Sequence, residues 1–269
     1  YTYACSDFKF KKGLVSATKT SGHTLQIADG LWLDKKFKAA MMKSIAQSEL
    51  DRKRFVYSDI GFILLQQVVE AVTGKTLDAY LVSEFYRPMG LEHTLFQPLN
   101  RYKKADIMPT AANDYLRRQD LCGYVHDEAA AFMGGVSGNA GLFSTAQELG
   151  KIYQMILNEG ELDGKRYLRP ETCRIFTTEK SAVSHRGLGY DKPNLKDPKA
   201  NACASSAPAS VYGHTGFTGT CAWVDPENDL VYIFLSNRLC PDAWNGKLNS
   251  MKIRQAVQEV IYQSLYTPE

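Results

Sequence analysis

Residues 211–238 read VYGHTGFTGTCAWVDPENDLVYIFLSNR, and this stretch decides the fold class of the chain. Within it, the runs CAWV and LVYIFLSN are rich in β-branched and aromatic residues, and the turn sequence DPEND joins them. Apolar runs of this kind, bounded by Pro, Asn and Asp, predict a β-hairpin. Apolar residues then recur at helical spacing from Met251 to Tyr266, which predicts a closing amphipathic helix on one face of the sheet.

The part of the chain before the hairpin predicts helices separated by loops. Leu31–Leu50 has apolar residues near helical spacing. The run IGFILLQQVVEAVT, which Gly74 follows, is apolar nearly all round and predicts a buried helix that ends at that glycine. Two overlapping capping boxes predict that a further helix begins at Ser144–Thr145. Residues 97–143 and 181–210 lack a sustained period and predict loops.

The predicted order is helices and loops first, then strands, then a closing helix. This order is typical of the α/β (α+β) class, and we expect an antiparallel sheet flanked by helices together with a helical lobe. We expect three parts within one interlocked domain. These are an irregular N-terminal segment (1–30), a helical lobe with cleft loops (31–180), and a sheet portion with the C-terminal helix (181–269).

Composition excludes several classes of function. The 269 residues carry 32 basic and 29 acidic side chains, a balance that argues against nucleic-acid binding. The apolar runs are too short to predict a transmembrane segment. The six cysteines are scattered without metal-ligand spacing, so the sequence predicts isolated core thiols, no metal site and no cofactor. The chain starts at Tyr1 without an initiator Met or a signal-peptide pattern, so we expect it to be a piece of a longer protein.

Two polar segments mark where chemistry is expected. Tyr57-Ser58-Asp59 places a phenol and a carboxylate just before the apolar helix, where unpaired N–H groups and the helix dipole favour negative charge. The segment YGHTGFTGT (212–220) leads into the hairpin. Together the two resemble the second and third active-site motifs of the serine β-lactamase and penicillin-binding-protein superfamily. They resemble most the class C β-lactamase-related esterases and peptidases, which often carry His-Thr-Gly where other β-lactamases carry Lys-Thr-Gly.

The resemblance runs from about residue 28 to residue 266 and consists of three blocks in the family's order. The block that begins YSDIGFILLQ resembles the family's buried helix and the helix after it. The block VHDEAAAFMGGVSGNAGLFS resembles its glycine-rich cleft wall, and the hairpin resembles its catalytic strand. The resemblance therefore implies a β-lactamase/transpeptidase-like fold and a location in the bacterial periplasm or cell envelope.

The chemistry that the resemblance implies is acyl transfer through a serine acyl-enzyme. Tyr57 would act as general base and then as general acid, which requires cationic neighbours because a free phenol has a pKa of about 10. His214 would hydrogen-bond Tyr57 or a substrate carboxylate, and we expect the two side chains to face each other across a cleft. The backbone N–H of Phe217 would be one oxyanion donor. The other oxyanion or substrate-binding positions are Asp59, Thr215 and Gly216.

Three positions depart from the family's pattern. Asp59 stands where Asn is usual, and a carboxylate cannot donate a hydrogen bond to a substrate amide unless it is protonated. His214 replaces a fixed cation with a side chain that titrates near about 6.5 when unperturbed. That replacement favours an esterase or D-amino-acid peptidase over an efficient β-lactamase. Asn139 stands where related sequences often have His.

The family's nucleophilic Ser-x-x-Lys motif has one candidate, Ser16-Ala17-Thr18-Lys19. The motif works at the start of a buried helix, but Lys19 is followed by TSGHT, which contains a helix breaker and no apolar period. We therefore expect Ser16 to be a loop residue and Lys19 to have no catalytic role, with the nucleophile lying upstream of Tyr1.

Two functions follow from this reading. The first is a serine hydrolase acting on a small-molecule ester, a D-amino-acid peptide or a β-lactam-like amide, for which a fused upstream domain is expected in the full-length protein. The second is a non-catalytic module that binds cell-wall peptide with the same cleft. His126-Asp127-Glu128 is interpreted as a site that braces a loop by hydrogen bonds, because adjacent residues point in different directions and cannot together surround a metal ion.

Overall fold

A computed structural model of the protein describes residues 5–6, 9–49 and 55–266. The chain forms two compact units. The first comprises Tyr1–Phe143 with Leu239–Ala243, and the second comprises Ser144–Arg238 with Trp244–Glu269. The three-part division expected from the sequence stays a prediction.

Within the described residues, the first unit combines short strands with four α-helices. Its strands are β1 (Cys5–Ser6), β2 (Lys9–Phe10), β3 (Val15–Ser16), β4 (His23–Ala28), β5 (Leu31–Asp34), β6 (Leu95–Phe96), β7 (Pro109–Ala111), β8 (Leu121–Cys122) and β9 (Leu142–Phe143). Its helices are α1 (Phe37–Ala46), α2 (Ile60–Thr73), α3 (Leu77–Leu81) and α4 (Glu128–Phe132). All of its strand pairs are antiparallel within the described residues.

The expected irregular N-terminal segment is wrong over its second half, because β4 pairs with β5 and β3 pairs with the other edge of β5. The same strand shortens the helix predicted for Leu31–Leu50. Residues 31–34 are strand, and the Asp34 side chain accepts a hydrogen bond from Lys36 N–H at 2.8 Å where the strand gives way to α1. Leu33 and Phe37 then enter one buried cluster with Ile27, which explains why their apolar spacing resembled a helix.

Helix α2 begins and ends as predicted, but its predicted burial is wrong. Gly74 adopts a left-handed conformation with φ 67° and donates to Glu70 O at 3.0 Å, a C-cap that favours glycine. Only Ile63 and Gln66 are buried along the helix. Its exposed apolar side chains include Leu65, Val68 and Val72. An apolar helix is fully buried only when other elements cover all of its faces. Among the described residues, only the face that carries Ile63 and Gln66 is covered.

The second unit is built around a three-stranded antiparallel sheet. Its strands are β10 (Glu161–Leu162), β11 (Lys165–Arg166), β12 (Tyr212–Thr215), β13 (Cys221–Asp225) and β14 (Leu230–Phe234). Its helices are α5 (Ala146–Leu157), α6 (Pro170–Thr178), α7 (Lys247–Ser250) and α8 (Ile253–Tyr266). The order in the main sheet is β12-β13-β14, so the predicted hairpin is confirmed.

Helices cover both faces of the main sheet, which confirms the predicted fold class. Trp223 and Tyr232 are paired across the strands and pack in one cluster with Ile261 of α8. Ile233 points to the opposite face because successive strand residues alternate, and its Cδ1 lies within 4.0 Å of the position a Cβ of Gly150 in α5 would occupy. As predicted, α5 has a Thr145 N-cap, whose Oγ1 accepts from Glu148 N–H at 3.3 Å.

The cysteines described with their side chains are free thiols, and four of the five are buried. Across residues 5–6, 9–49 and 55–266, the helices are too short or too polar to cross a bilayer. The same ranges hold no cluster of three or more His, Cys, Asp or Glu side chains able to bind a metal ion.

Candidate functional site

His214 lies near the end of β12, and the strand is fixed on both sides. In one direction it pairs with β13, with His214 opposite Ala222. In the other direction, Gly213 exchanges two backbone hydrogen bonds with Asp191, at 2.7 and 3.1 Å. A Cβ on Gly213 would lie 2.1 Å from the carbonyl oxygen of Ala222, so only glycine fits this register. The position of His214 is therefore set by its backbone neighbours.

Hydrogen bonds at both ring nitrogens determine the tautomer of His214. Nδ1 lies 2.8 Å from the carbonyl oxygen of Thr215, which can only accept, so Nδ1 carries the proton. Nε2 lies 2.9 Å from Nη1 of Arg186, which can only donate, so Nε2 accepts. These two contacts fit the Nδ1–H tautomer of His214.

Arg186 belongs to a chain of charged groups behind His214. Its Nη2 lies 3.5 Å from Oδ2 of Asp191, and the other carboxylate oxygen lies 2.8 Å from Nε2 of His185. The Asp191 side chain is 6% exposed and the Arg186 side chain 24% exposed. The backbone N–H of Lys192 also donates to Asp191, at 3.1 Å.

Arg186 and Asp191 were not predicted from the sequence, and His185 had no predicted role. All three lie in the stretch predicted as a loop, where local periodicity gives no signal. The link is the backbone pairing of Asp191 with Gly213, which joins positions far apart in sequence. These residues could have been found only by testing whether the loop pairs with the strand edge beside His214.

The residues after His214 form a tight turn between Gly216 and Thr220. Gly216 N–H donates to Thr220 O at 2.8 Å, and a Cβ on Gly216 would lie 2.2 Å from Thr220 Oγ1. The turn is braced from outside, because Arg254 Nη1 donates to Thr220 O at 3.0 Å. Arg238 Nε donates to the Phe217 carbonyl at 2.6 Å, and its guanidinium lies 4.3 Å from the Phe217 ring centroid. Arg238 thus contacts both the backbone and the ring of Phe217.

Tyr57 lies just before α2, in the first unit. Its side chain is 55% exposed. Ser58 Oγ accepts from Ile60 N–H at 3.3 Å, whereas Asp59 occupies the N-cap position without a side-chain cap bond. Because Tyr57 belongs to the first unit and His214 to the second, their expected encounter across a cleft stays a prediction.

A hydrogen-bonded loop, residues 136–139, lies beside α2 within the first unit. Gln66 is buried, accepts from Gly138 N–H at 3.2 Å and donates to Val136 O at 3.3 Å. A Cβ on Gly138 would lie 2.2 Å from the carbonyl oxygen of Phe62, so glycine permits the close approach. Together with α3, this wall encloses an apolar groove of about 350 Å³.

Asn139 lines the same groove and is held by two side-chain hydrogen bonds. Its Nδ2 donates to Asp127 Oδ1 at 3.0 Å, and its Oδ1 accepts from Ser137 at 2.7 Å. Asp127 also caps α4 by accepting from Ala130 N–H at 2.7 Å. The loop-bracing interpretation of His126-Asp127-Glu128 is therefore confirmed for Asp127. Burial lowers the pKa of His126.

Ser16 and Lys19 are not arranged as a nucleophilic pair at the start of a helix. Ser16 lies in β3 opposite Trp32 of β5, which corrects its expected loop conformation. Its Oγ accepts from Thr18 N–H at 3.3 Å, and the Lys19 ammonium lies 5.5 Å from the Trp32 ring centroid. The Ser-x-x-Lys motif needs its Ser and Lys one turn apart on a helix, whereas Ser16 lies in a strand.

Comparisons with known proteins identify the chain's relatives. The family model described as Beta-lactamase matches residues 17–254. A relative from Escherichia coli strain K12 that carries the name D-alanyl-D-alanine carboxypeptidase is 38% identical over 197 residues, which cover 69% of this chain and 45% of the relative. One of the same name from Salmonella gallinarum is 32% identical over 227 residues, covering 79% and 52%. The chain therefore spans about half the length of these curated relatives.

Solved structures share the fold at low sequence identity. A penicillin-binding protein homologue from Caulobacter crescentus has a TM-score of 0.51 and 17% identity, covering 83% of this chain and 62% of that one. Simvastatin synthase from Aspergillus terreus has a TM-score of 0.54 and 16% identity, covering 86% and 61%. At this identity the likeness shows the fold alone.

Proposed function

Because the chain belongs to the beta-lactamase family, we propose that the protein is a serine hydrolase that works through an acyl-enzyme. The observation that carries the proposal is the local geometry of β12, where His214 directly precedes Thr215 and a braced, glycine-permitted turn. A strand end of this kind offers a fixed side chain and fixed backbone donors next to each other. Acyl transfer needs both, since charge develops on an oxygen in the transition state.

The substrate class that we propose is a peptide ending in D-Ala-D-Ala. The name carried by the relatives favours this peptide over an ester or a β-lactam-like amide, although all three react by the same acyl chemistry. The same names favour a location in the bacterial cell envelope. No cofactor enters the proposed reaction.

Each predicted site residue has a role in this proposal, and His214 hydrogen-bonds Tyr57 or a substrate carboxylate. Tyr57 takes the proton of the attacking serine and returns it to the leaving group. The Phe217 N–H stabilises the oxyanion, and Arg238 holds the Phe217 carbonyl from the other side of the turn. Asp59, Thr215 and Gly216 are the substrate-binding positions.

We further propose that the acylated serine is a residue other than Ser16. An oxyanion hole uses the N–H of the nucleophile at a helix start, whereas Ser16 lies in a strand. Ser6 and Lys9 repeat the Ser-x-x-Lys spacing, but their backbones pair across the β1–β2 hairpin. We therefore propose the hydrolase activity for the whole protein.

The strand position of Ser16 also favours the second candidate, a module that binds cell-wall peptide without turnover. The two candidates differ in one measurable respect, which is the release of D-alanine. A binding module retains the peptide intact.

The test is D-alanine release from an N-acetylated peptide ending in D-Ala-D-Ala, catalysed by the whole protein and by Tyr57→Phe. General-base loss is expected to lower kcat by roughly 10²- to 10⁴-fold. Tyr102→Phe is the matched control, because its hydroxyl only donates to the Glu92 carbonyl at 2.8 Å. If the wild type releases D-alanine and Tyr57→Phe lowers kcat no more than Tyr102→Phe does, the role of Tyr57 is contradicted. Binding without release would favour the second candidate.

A further inference from the structure

A second cavity of the first unit, of about 440 Å³, lies beside α3 and the turn that follows it. Its volume falls in the range of about 300–1,000 Å³ that is usual for pockets that bind small molecules. Much of its lining is apolar, and two of the lining side chains, Tyr86 and Leu91, are buried. Burial raises the pKa of Tyr86 to about 12, so its phenol stays uncharged at neutral pH. The cavity therefore suits a ligand with an apolar body.

A π-helical turn shapes one wall of this cavity. Helix α3 continues as a π-helix over Val82–Tyr86, and the N–H of Arg87 donates to the carbonyl of Val82 at 3.0 Å, five residues back. The extra residue in this turn lets both Tyr86 and Arg87 line the cavity. Asp78 lies one α-helical turn before Val82 and lines the cavity from the same helix. Turns of this kind often occur at functional sites.

The lining carries one carboxylate and one guanidinium that are unpaired. Within the part of the chain that the structure describes, the side chains of Asp78 and Arg87 make no hydrogen bond or ion pair. Two other charged groups of the lining, Arg101 and Glu92, are joined to each other. Arg101 Nη1 donates to the Glu92 carbonyl at 2.9 Å, and Nη2 lies 3.7 Å from the Glu92 carboxylate. Unpaired charges of opposite sign beside an apolar lining match a ligand that is itself a zwitterion.

The spacing of Asp78 and Arg87 limits the length of that ligand. The two residues are nine positions apart in the sequence, which corresponds to about 13 Å along a helix at about 1.5 Å per residue. Because both residues line one cavity, we expect their charged groups to be closer together than this. An extended peptide spans about 3.3–3.6 Å per residue, so a chain of two or three residues fills such a gap.

We propose that this cavity binds a short apolar peptide, two or three residues long, with both of its ends free. Asp78 binds the ammonium group of the peptide, Arg87 binds its carboxylate, and the apolar lining covers its side chains. The assignment is independent of the proposed hydrolase activity. Tyr86 and Phe96 line both this cavity and the groove beside α2, so a peptide bound here contacts two of the side chains that shape the groove.

The test measures binding of trileucine to the whole protein by calorimetry and compares it with three related peptides. N-acetyl trileucine lacks the ammonium group, and trileucine amide lacks the carboxylate. Each is expected to bind roughly 10- to 100-fold more weakly than trileucine, because each loses one charge-assisted hydrogen bond. Triglycine keeps both charges but has no apolar side chains, so it is expected to bind at least about 10-fold more weakly.

Two variants connect each end of the peptide to one residue. Asp78→Asn is expected to abolish the preference for a free amino end and to keep the preference for a free carboxylate. Arg87→Gln is expected to do the reverse. The matched controls are Asp106→Asn and Arg174→Gln, which remove exposed charges outside the cavity lining. Both controls are expected to leave the two preferences unchanged.

Three results would overturn the assignment. The first is a whole protein that does not bind trileucine. The second is a pair of end preferences that persist unchanged in Asp78→Asn and Arg87→Gln. The third is trileucine binding that Tyr57→Phe weakens and Asp78→Asn does not, because this would place the peptide at the candidate functional site instead.

Discussion

Asp114→Asn is expected to destabilise the first unit strongly, because it breaks a buried ion pair. The Asp114 and Arg117 side chains are 0% and 1% exposed, and their closest charged atoms are 2.9 Å apart. Asp114 also accepts from the backbone N–H of Leu116 and Arg117, at 3.2 and 2.7 Å. Arg117 donates onward to the carbonyls of Val125 and His126, just before α4. The pair thus joins two parts of the loop that leads to the groove wall.

The size of the effect follows from the burial of both charges. Removing one partner of a buried pair leaves the other charge uncompensated and typically costs about 3–5 kcal/mol. An asparagine at position 114 also points an N–H₂ donor, in one of its two orientations, at a guanidinium that can only donate. Replacing both residues, as Asp114→Asn with Arg117→Met, removes the orphaned charge and is expected to restore part of the loss.

The assay is hydrogen exchange at the amides of α4, such as Ala131, which is bonded to Asp127 O at 3.0 Å. A loss of 3–5 kcal/mol corresponds to roughly 10²- to 10⁴-fold faster exchange, at about 1.4 kcal/mol per decade. Glu84→Gln is the control, because its 2.7 Å pair with Lys75 is about half exposed on both sides and is worth about 1 kcal/mol or less. Equal exchange in the two variants would show that burial of the ion pair does not set its contribution to stability.

The effect of Asp114→Asn is also expected to depend on pH. Burial raises the pKa of Asp114, but hydrogen bonds from Arg117 and its charge outweigh burial and hold that pKa below its usual value. A depressed pKa stabilises the folded state above the unfolded value of about 3.9, and the contribution is lost as pH falls through the folded pKa. The exchange difference between wild type and variant should therefore be constant near neutral pH and shrink in acid below about pH 4. An exchange difference that grows in acid would contradict a lowered pKa of Asp114 in the folded state.

Three further substitutions test local geometry in the two units. Gly213→Ala would place a Cβ 2.1 Å from Ala222 O, so it should displace β12 and abolish D-alanine release, whereas Gly150→Ala, in α5 with its nearest neighbour at 4.0 Å, should raise the free energy of unfolding by roughly 0.5–1 kcal/mol. Denaturant unfolding and the release assay distinguish them, and wild-type activity in Gly213→Ala would contradict the strand register. Gln66→Leu should leave the Gly138 N–H without its acceptor and cost about 1–3 kcal/mol, measured as faster exchange of that amide. Unchanged exchange there would show that Gln66 does not hold the groove wall.

The elements predicted correctly from the sequence are those with local signals. The hairpin has its turn between two apolar runs, α2 has a terminating Gly74, and α5 has its Thr145 cap. Each signal acts within a few residues, so no tertiary contact can easily override it. The same locality explains why the family motifs around Tyr57 and His214 could be located.

The errors arose where structure depends on contacts between distant segments. β5 was interpreted as part of a helix because its apolar residues fit both periods, and only its pairing with β4 decides between them. Arg186 was missed because its relation to His214 runs through the backbone pairing of Asp191 with Gly213. A single sequence contains no local signal for such a pairing.

We propose that Tyr57 and His214 serve one acylation reaction, and a double-mutant cycle distinguishes this from two independent roles. The whole protein, Tyr57→Phe, His214→Gln and the double variant are each reacted with a penicillin, and the acyl adduct is followed by intact mass. We expect a stoichiometric adduct on a serine other than Ser16, each single substitution slowing acylation by about 10²-fold or more, and the double variant little slower than the worse single one. Effects that multiply independently, or an adduct that maps to Ser16, would contradict the account.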